Sequence, residues 1–244
     1  MSEQTPEHIN KMDWRINNLT LATIPFVHPD SSNLMSTVGA EVEFGILSYG
    51  EESFGLTIPN TTALFLNLSH IYYLQAEQLI NKCVLNKRVG HLPDSDVFEF
   101  YEQMMASIVF AYTCLESFVN EELPDDYIYE VVDSKGTQHY NKEQIERYLS
   151  LDTKLGEVIP VVFQVQSPKG TKIWQDFNNL KKIRDRIIHI KTSDRNFGGY
   201  DDKSIWNVIL SKPLIKTYDT AKNIMHYFLN TKEQTPRWFD KCPF

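Results

Sequence analysis

A long stripe of apolar side chains in residues 97–118 constrains the fold of this chain more than any other feature. Its members recur at intervals of four and three, and they are Val97, Tyr101, Met104, Ile108, Ala111, Leu115 and Phe118. Such intervals place side chains on one face of an α-helix. Because an apolar face must be covered by another element, the stripe predicts a mainly α fold in which a second long helix packs on this one.

Residues 172–191 form a second amphipathic stretch, and it carries an arginine on its apolar face. The apolar members are Ile173, Phe177, Leu180 and Ile187. At about 100° per residue, Arg184 falls in the middle of this stripe. A guanidinium there is costly to bury unless an anion meets it. Asp185 and His189, four residues apart, share another face, where the carboxylate is placed to hold the imidazole in one tautomer.

Residues five apart on an ideal helix differ by about 140° in direction, so Arg184 and His189 would not meet on a straight helix. We therefore expect the helix to end or distort within a few residues of His189. We also expect Asp185 to hydrogen-bond either an imidazole nitrogen or the guanidinium.

The spacing of Arg184, Asp185 and His189 resembles the signature of the HEPN superfamily of helical RNases. That signature is an arginine, four to six residues and a histidine, often with a polar residue straight after the arginine. Residues 111–121 also resemble the family, and the resemblance covers roughly residues 95 to 230. It implies an antiparallel helical bundle, catalysis by Arg184, Asp185 and His189, and a homodimer whose two motifs face each other.

Three polar residues step by four along the face beside the long stripe: Tyr112, Glu116 and Asn120. One interpretation is a boundary strip that is hydrogen-bonded to a neighbouring helix. The other is a strip that lies beside Arg184 and His189 and supports them. The spacing agrees with both.

The predicted organisation is an N-terminal extension over residues 1–60, a helical HEPN-like domain over 61–235 and a tail over 236–244. In the extension, residues 1–35 are expected to be irregular, because Pro25 and Pro29 interrupt any regular run. Alternation over 38–46, a turn over 49–52 and a returning strand over 53–58 then predict a β-hairpin.

The helical domain is predicted to begin with a helix from 61 to about 87. Its expected inner side consists of Leu64, Leu68, Ile71, Leu79 and Cys83. Residues 124–140 are predicted to be an acidic loop, and Asn141 with Gln144 resembles a capping box. Short helices over 142–149 and 150–163, a loop over 192–203 and a last helix near 213–230 complete the prediction.

Charge is distributed unevenly along the chain. The net charge is −8, yet residues 169–195 hold eight basic and three acidic residues, a local charge of +5. A basic patch on an acidic body suits a protein that binds anions at one place. Lys181, Lys182, Arg186 and Lys191 are the candidate RNA contacts. An equal alternative for the first three is the solvated back of a helix.

Several classes of protein are disfavoured. Three cysteines far apart form neither a disulfide framework nor a zinc site, and no Gly-rich phosphate loop is present. We therefore expect no metal and no cofactor. No apolar run approaches the ~20 residues that span a bilayer. Because the first residues lack the apolar core of a signal peptide, we expect a cytoplasmic protein without a membrane partner.

The motif predicts RNA cleavage without a metal. RNA carries its own nucleophile, the 2′-hydroxyl, and an imidazole with an ordinary pKa of ~6.5 can accept or donate a proton near neutral pH. An arginine can stabilise the charge that develops on the phosphate. The products would be 2′,3′-cyclic phosphate and 5′-hydroxyl ends.

The resemblance further implies a toxin or anti-phage defence role, with an antitoxin or defence protein as a possible partner. Two alternatives remain, a non-catalytic HEPN-like interaction or nucleotide-binding module and an unrelated helical adaptor.

Overall fold

The structure is a computed structural model that describes residues 12–17, 19–27, 34–42, 44–85, 93–134, 136–195, 204–211 and 213–244. The chain divides into two compact units, one of Met1–Leu64 with Gln234–Phe244 and the other of Phe65–Glu233. The described part is mainly helical, as the apolar stripes predict.

The helices and strands follow one another in this order: β1 (Leu19–Val27), β2 (Leu34–Val42), β3 (Phe44–Tyr49), β4 (Glu52–Thr57), α1 (Thr61–Leu85), α2 (Asp94–Glu121), β5 (Tyr129–Asp133), β6 (Gly136–Tyr140), α3 (Lys142–Tyr148), α4 (Leu151–Thr153), a π-helical segment (Lys154–Val158), α5 (Ile159–Val162), α6 (Lys172–Ile188), α7 (Thr192–Arg195), α8 (Ile205–Ile209), α9 (Thr217–Leu229) and α10 (Arg237–Asp240). We call α6 the motif helix.

The strands of the first unit form two antiparallel pairs, β1 with β2 and β3 with β4. The expectation of irregular backbone up to residue 35 was wrong, because β1 occupies residues 19–27. Pro25 within it suggested a break, but a two-stranded ladder consists of edge strands, where proline is tolerated. The alternating stretch 38–46, predicted as one strand, is divided between β2 and β3.

Residues 236–244, which were predicted as a tail, contain α10 and belong to the first unit. Arg237 donates from its two terminal nitrogens to the carbonyl oxygens of Met12 and Asp13, each at 3.0 Å. Trp238 and Phe239 are buried. This C-terminal stretch is therefore tied by hydrogen bonds to residues near the other end of the chain.

The core of the second unit forms where α2, α9 and the motif helix pack against one another. Its fully buried side chains come from both predicted stripes and from α9, and include Met104, Ile108, Leu115, Phe118, Phe177, Leu180 and Phe228. The predicted stripe of α2 is confirmed from Met104 to Phe118. Two helices, α9 and the motif helix, cover this stripe, where the sequence predicted one.

The face that α1 buries differs from the prediction. Ile71, expected inside, is 40 % exposed, whereas Ser69 is fully buried. The Ser69 hydroxyl donates to the carbonyl oxygen of Ser107 at 2.9 Å and lies 3.3 Å from the Thr217 hydroxyl. A small polar residue allows close helix packing when its hydroxyl is bonded, and a hydropathy pattern cannot detect partners so distant in sequence.

Residues 129–133 and 136–140 form an antiparallel pair, β5 with β6, so the prediction of a loop over 124–140 was wrong. The capping box that follows is confirmed. The Asn141 side chain accepts from the backbone N–H of Gln144 at 3.0 Å, and the Gln144 side chain accepts from the backbone N–H of Asn141 at 3.0 Å. The box begins α3 and thereby fixes where the chain turns toward the π-helical segment.

The predicted loop over 192–203 is replaced at its start by α7. The rest of that loop, residues 196–203, lies outside the described residues. Within the described ranges, none of the helices combines the length and the apolar character that crossing a membrane requires.

Candidate functional site

The motif helix ends where its histidine stands. Thr171 caps its start by accepting from the backbone N–H of Trp174 at 3.3 Å. At the other end, His189 has φ −121° and ψ 57°, and its backbone N–H donates to the carbonyl oxygen of Asp185 at 2.9 Å. The expectation that the helix ends within a few residues of His189 is confirmed. The His189 side chain is exposed at this end.

An aromatic ring supports the arginine on the apolar face. The Cζ atom of Arg184 lies 4.1 Å from the centroid of the Tyr112 ring, and that ring stacks on Phe177 at 6.3 Å with 12° between the planes. The face of an aromatic ring attracts a guanidinium electrostatically. Arg184 can therefore stay within the stripe with only 25 % of its side chain exposed.

Two carboxylates approach the same guanidinium. Arg184 donates from Nη1 to Oδ1 of Asp185 at 2.9 Å, and its Nη2 lies 3.8 Å from Oε1 of Glu116. Among the described residues, Nε and Nη2 of Arg184 make no hydrogen bond, and neither does the imidazole of His189. Asp185 thus bonds the guanidinium, one of its two expected partners, and does not hold the imidazole.

A buried lysine completes the polar strip of α2. Lys154 opens the π-helical segment and is 5 % exposed. Its Nζ donates to Oδ1 of Asn120 and to the carbonyl oxygen of Glu146, each at 2.9 Å. The backbone N–H of Ile159 donates to the carbonyl oxygen of Lys154, the five-residue bond of a π turn. Such turns occur frequently at functional sites because they redirect side chains.

A glycine lets the π-helical segment lie against the motif helix. A Cβ atom at Gly156 would collide with the Lys169 side chain and lie 3.2 Å from Cη2 of Trp174. Trp174 belongs to the first turn of the motif helix and packs against Phe177 at 5.1 Å between ring centroids. Gly156 thereby permits the close contact that brings Lys154 and Arg184 to the same strip of α2.

The ionisable groups of this strip act on one another. Burial raises the pKa of Tyr112 to about 12, although Arg184 lowers it, so the phenol stays protonated near neutral pH. Burial also raises the pKa of Glu116, against the lowering effect of Arg184 and Lys154. Burial lowers the pKa of Lys154, while Glu116 and Glu146 raise it. Tyr112, Glu116 and Asn120 thus all contact or act on Arg184 or Lys154.

Two of the four cations that we assigned to RNA contacts carry carboxylate partners. Lys181 is paired with Asp152, and Arg186 is paired with Asp194. The Asp194 side chain is 5 % exposed, and its Oδ1 also accepts from the backbone N–H of Ile205 at 3.3 Å. Part of the local positive charge is therefore neutralised by residues of the same fold.

Lys182 and Lys191, the other two, are exposed on the motif helix and just beyond its end. In the ranges that the structure describes, neither forms an ion pair. These two ammonium groups are the members of the predicted patch that stay available to an external anion.

Sequence reasoning missed three residues, Asp152, Lys154 and Asp194, that pair with or act on motif residues. Lys154 stands three residues after Leu151 and four before Val158, positions that share one face of an ideal helix, and that spacing is the one signal that could have found it. The other Asp152 oxygen, Oδ1, is buried without a hydrogen-bond partner. The described residues contain no group of three or more His, Cys, Asp or Glu side chains placed to hold a metal ion.

No protein-family model, curated protein or solved structure matches this chain.

The Arg186–Asp194 pair predicts a stability difference that depends on pH. Hydrogen bonding from Arg186 is the largest cause that lowers the pKa of Asp194. A lowered folded-state pKa contributes stability above the unfolded value of about 3.9, and this contribution is lost as pH falls through the folded value. Asp194→Asn should lower the free energy of unfolding at pH 7 by about 1–3 kcal/mol. Urea denaturation at pH 7 and pH 3 measures it, and the difference should shrink at pH 3.

Asp176→Asn is the matched control. Asp176 pairs with Lys172 one turn away on the exposed side of the same helix, where such pairs contribute about 0.3–0.5 kcal/mol. An Asp194→Asn deficit that stays constant between the two pH values would show that the charge of Asp194 is not what stabilises this segment.

Proposed function

We propose that this chain is a metal-independent endoribonuclease of the HEPN type. It cuts RNA by attack of the 2′-hydroxyl and leaves 2′,3′-cyclic phosphate and 5′-hydroxyl ends. The observation that carries the proposal is the state of Arg184. Its guanidinium is held on the Tyr112 ring and by Asp185, yet within the described residues it keeps unbonded N–H groups, and its helix ends at the exposed His189.

Arg184 has the role of phosphate clamp. A guanidinium offers five N–H donors, and a single hydrogen bond from this one, to Asp185, is found among the described residues. The free edge can donate two parallel bonds to a phosphate. Because the ring and the carboxylate already restrict the side chain, little conformational entropy is lost when the phosphate binds. Donors fixed in advance stabilise the charge that grows in the transition state.

His189 has the role of acid–base group. It stands at the C-cap of the motif helix, where its side chain is exposed and can reach an RNA chain. Asp185 acts through Arg184, because its carboxylate orients the guanidinium. Lys182 and Lys191 supply exposed positive charge beside the motif, while Lys181 and Arg186 can contact RNA only by sharing or exchanging their present partners.

The proposal includes the finer features of the family. We assign the second unit to a HEPN-like antiparallel bundle and the first to an extension built around a β-hairpin. Two copies would bring their motif helices together in one cleft, and two-fold dimers are the commonest oligomers. A cytoplasmic toxin or defence role, restrained by an antitoxin or defence protein, fits an enzyme that attacks RNA without a cofactor.

A second candidate function is a HEPN-like module that binds a partner or a nucleotide without catalysis. It is favoured by one observation, that Arg184 already has two acidic neighbours, Asp185 and Glu116. In that case the arginine would be a structural ion pair that ties α2 to the motif helix. The two functions differ in what happens to RNA.

The first test is incubation of the purified protein with RNA in EDTA. We expect cleavage and 2′,3′-cyclic phosphate ends, detected because a cyclic end blocks ligation until a phosphatase that opens cyclic phosphates removes it. His189→Ala and Arg184→Ala should each lower the rate by at least about 10²-fold while the circular dichroism spectrum stays unchanged. Arg184→Lys should fail as well, because a point charge does not reproduce a two-donor edge.

His139→Ala is the control for the loss of a histidine. His139 lies on β6, is half exposed and pairs with Glu130 at 3.0 Å, so its removal should leave the rate unchanged. Cleavage that requires added Mg²⁺ would contradict the mechanism. A His189→Ala protein that cuts at the wild-type rate would remove the acid–base role and favour the non-catalytic module.

The dimer has its own test. Ile188 is 51 % exposed directly before His189, where the two motif helices would meet. We expect sedimentation at micromolar concentration to give twice the chain mass of 28.4 kDa, and Ile188→Glu to give monomer. Val161→Glu, at another exposed apolar position, should stay dimeric. Wild-type protein that sediments as a monomer would refute a composite site.

A further inference from the structure

Glu116 is a carboxylate beside the proposed phosphate clamp, and it makes no hydrogen bond with the part of the chain that the structure describes. Its Oε1 lies 3.8 Å from Nη2 of Arg184, an ion-pair distance that is too long for a hydrogen bond. The side chain is 44 % exposed, and within the described residues its oxygens accept from no donor. Both oxygens are therefore available to a hydroxyl of a molecule that binds to Arg184.

The other two carboxylates that act on Tyr112, Asp185 and Asp152, already have bonded or buried oxygens. Asp185 accepts from Arg184 through Oδ1. Asp152 pairs with Lys181 through Oδ2, and its Oδ1 is buried, out of reach of a substrate. Of these three carboxylates, Glu116 is the one whose side chain is exposed and, within the described residues, accepts no hydrogen bond.

Two cations face Glu116 from the elements packed on α2. Arg184 approaches from the motif helix and Lys154 from the π-helical segment, while Tyr112 lies one turn earlier on α2 itself. Burial raises the pKa of Glu116, and both cations lower it. The carboxylate is thus kept more basic than an ordinary glutamate, while the cations favour the ionised form that a base requires.

We propose that Glu116 is the general base of the cleavage reaction and that His189 is the general acid. The inference rests on the proposed function. Glu116 takes the proton of the 2′-hydroxyl as the bond between O2′ and phosphorus forms. The bond between phosphorus and O5′ breaks, and the His189 imidazolium gives its proton to O5′. Water then carries a proton from Glu116 back to His189, so the cycle closes without a metal or a second reactant.

This assignment changes what a dimer is needed for. One histidine cannot conveniently be base and acid in the same step, and a second imidazole from a partner copy would be one solution. With Glu116 as base, one chain carries both groups. Lys154 then becomes a positioning residue, because its charge acts on Glu116 and its Nζ is anchored on Asn120 and Glu146.

The test is the pH dependence of RNA cleavage in EDTA for the full chain. In wild type, kcat/KM should increase as pH is raised through the acidic range, because Glu116 ionises there. Glu116→Gln should lower kcat by about 10²–10⁴-fold and abolish this rise, while the affinity for an uncleavable 2′-deoxy oligonucleotide stays within a few-fold of wild type. Lys154→Met removes a charge that lowers the pKa of Glu116, so it should move the rise to higher pH.

Two variants complete the experiment. Glu102→Gln removes an exposed charge on the same helix and should keep the wild-type profile. Glu116→Asp keeps the charge but shortens the side chain, so it should keep the rise with a lower kcat, and it replaces the Gln variant if that one does not fold. Two results would overturn the inference but leave the proposed RNase activity intact. One is a Glu116→Gln protein with wild-type kcat and an unchanged rise of kcat/KM with pH. The other is a Glu116→Asp protein with wild-type kcat. A wild-type protein that cuts no RNA would overturn both.

Discussion

The contact between the Arg184 guanidinium and the Tyr112 ring, 4.1 Å from Cζ to the ring centroid, is what the rest of the site depends on. A charged group on the apolar face of a core helix must be compensated there. The Tyr112 ring attracts the cation electrostatically. The Asp185 carboxylate accepts one hydrogen bond from the guanidinium. The contact between Arg184 and Tyr112 joins α2, which carries Tyr112 and Glu116, to the motif helix, which carries Arg184 and Asp185, and the π-helical segment adds Lys154 through its bond to Asn120 of α2.

Four of the cations of the site have acidic neighbours before any ligand binds. Lys181 and Arg186 have acidic partners. Arg184 and Lys154 both interact electrostatically with Glu116. Neighbours of opposite charge offset the desolvation penalty of the half-buried charges in this chain of net charge −8. The pairing also means that RNA must be attracted by a few exposed groups and then gripped by Arg184. Binding of this kind should be less salt-dependent than that of a broad basic surface.

Much of the helical core could be predicted because its signal is local. The stripe of α2, the capping box at Asn141 and the end of the motif helix near His189 all follow from spacings within a few residues. The inner face of α1 could not, since Ser69 is buried through partners 38 and 148 residues away. The burial of Lys154 could not be predicted for a similar reason. Its partner Asn120 is 34 residues away, and a π turn alters the usual helical register. The strand β1 was hidden by a proline that an edge position tolerates.

The pre-positioned guanidinium can be tested directly by NMR of the arginine Nε–H signals, with that of Arg184 identified by its absence in Arg184→Lys. Addition of an uncleavable 2′-deoxy dinucleotide should shift this signal in wild type and in Tyr112→Phe, which keeps the ring. In Tyr112→Leu, which removes the ring, the signal should broaden and the dinucleotide should bind more weakly. An Arg184 signal that does not respond to the dinucleotide in wild type would contradict the account, because the arginine would then be a structural ion pair and not a phosphate clamp.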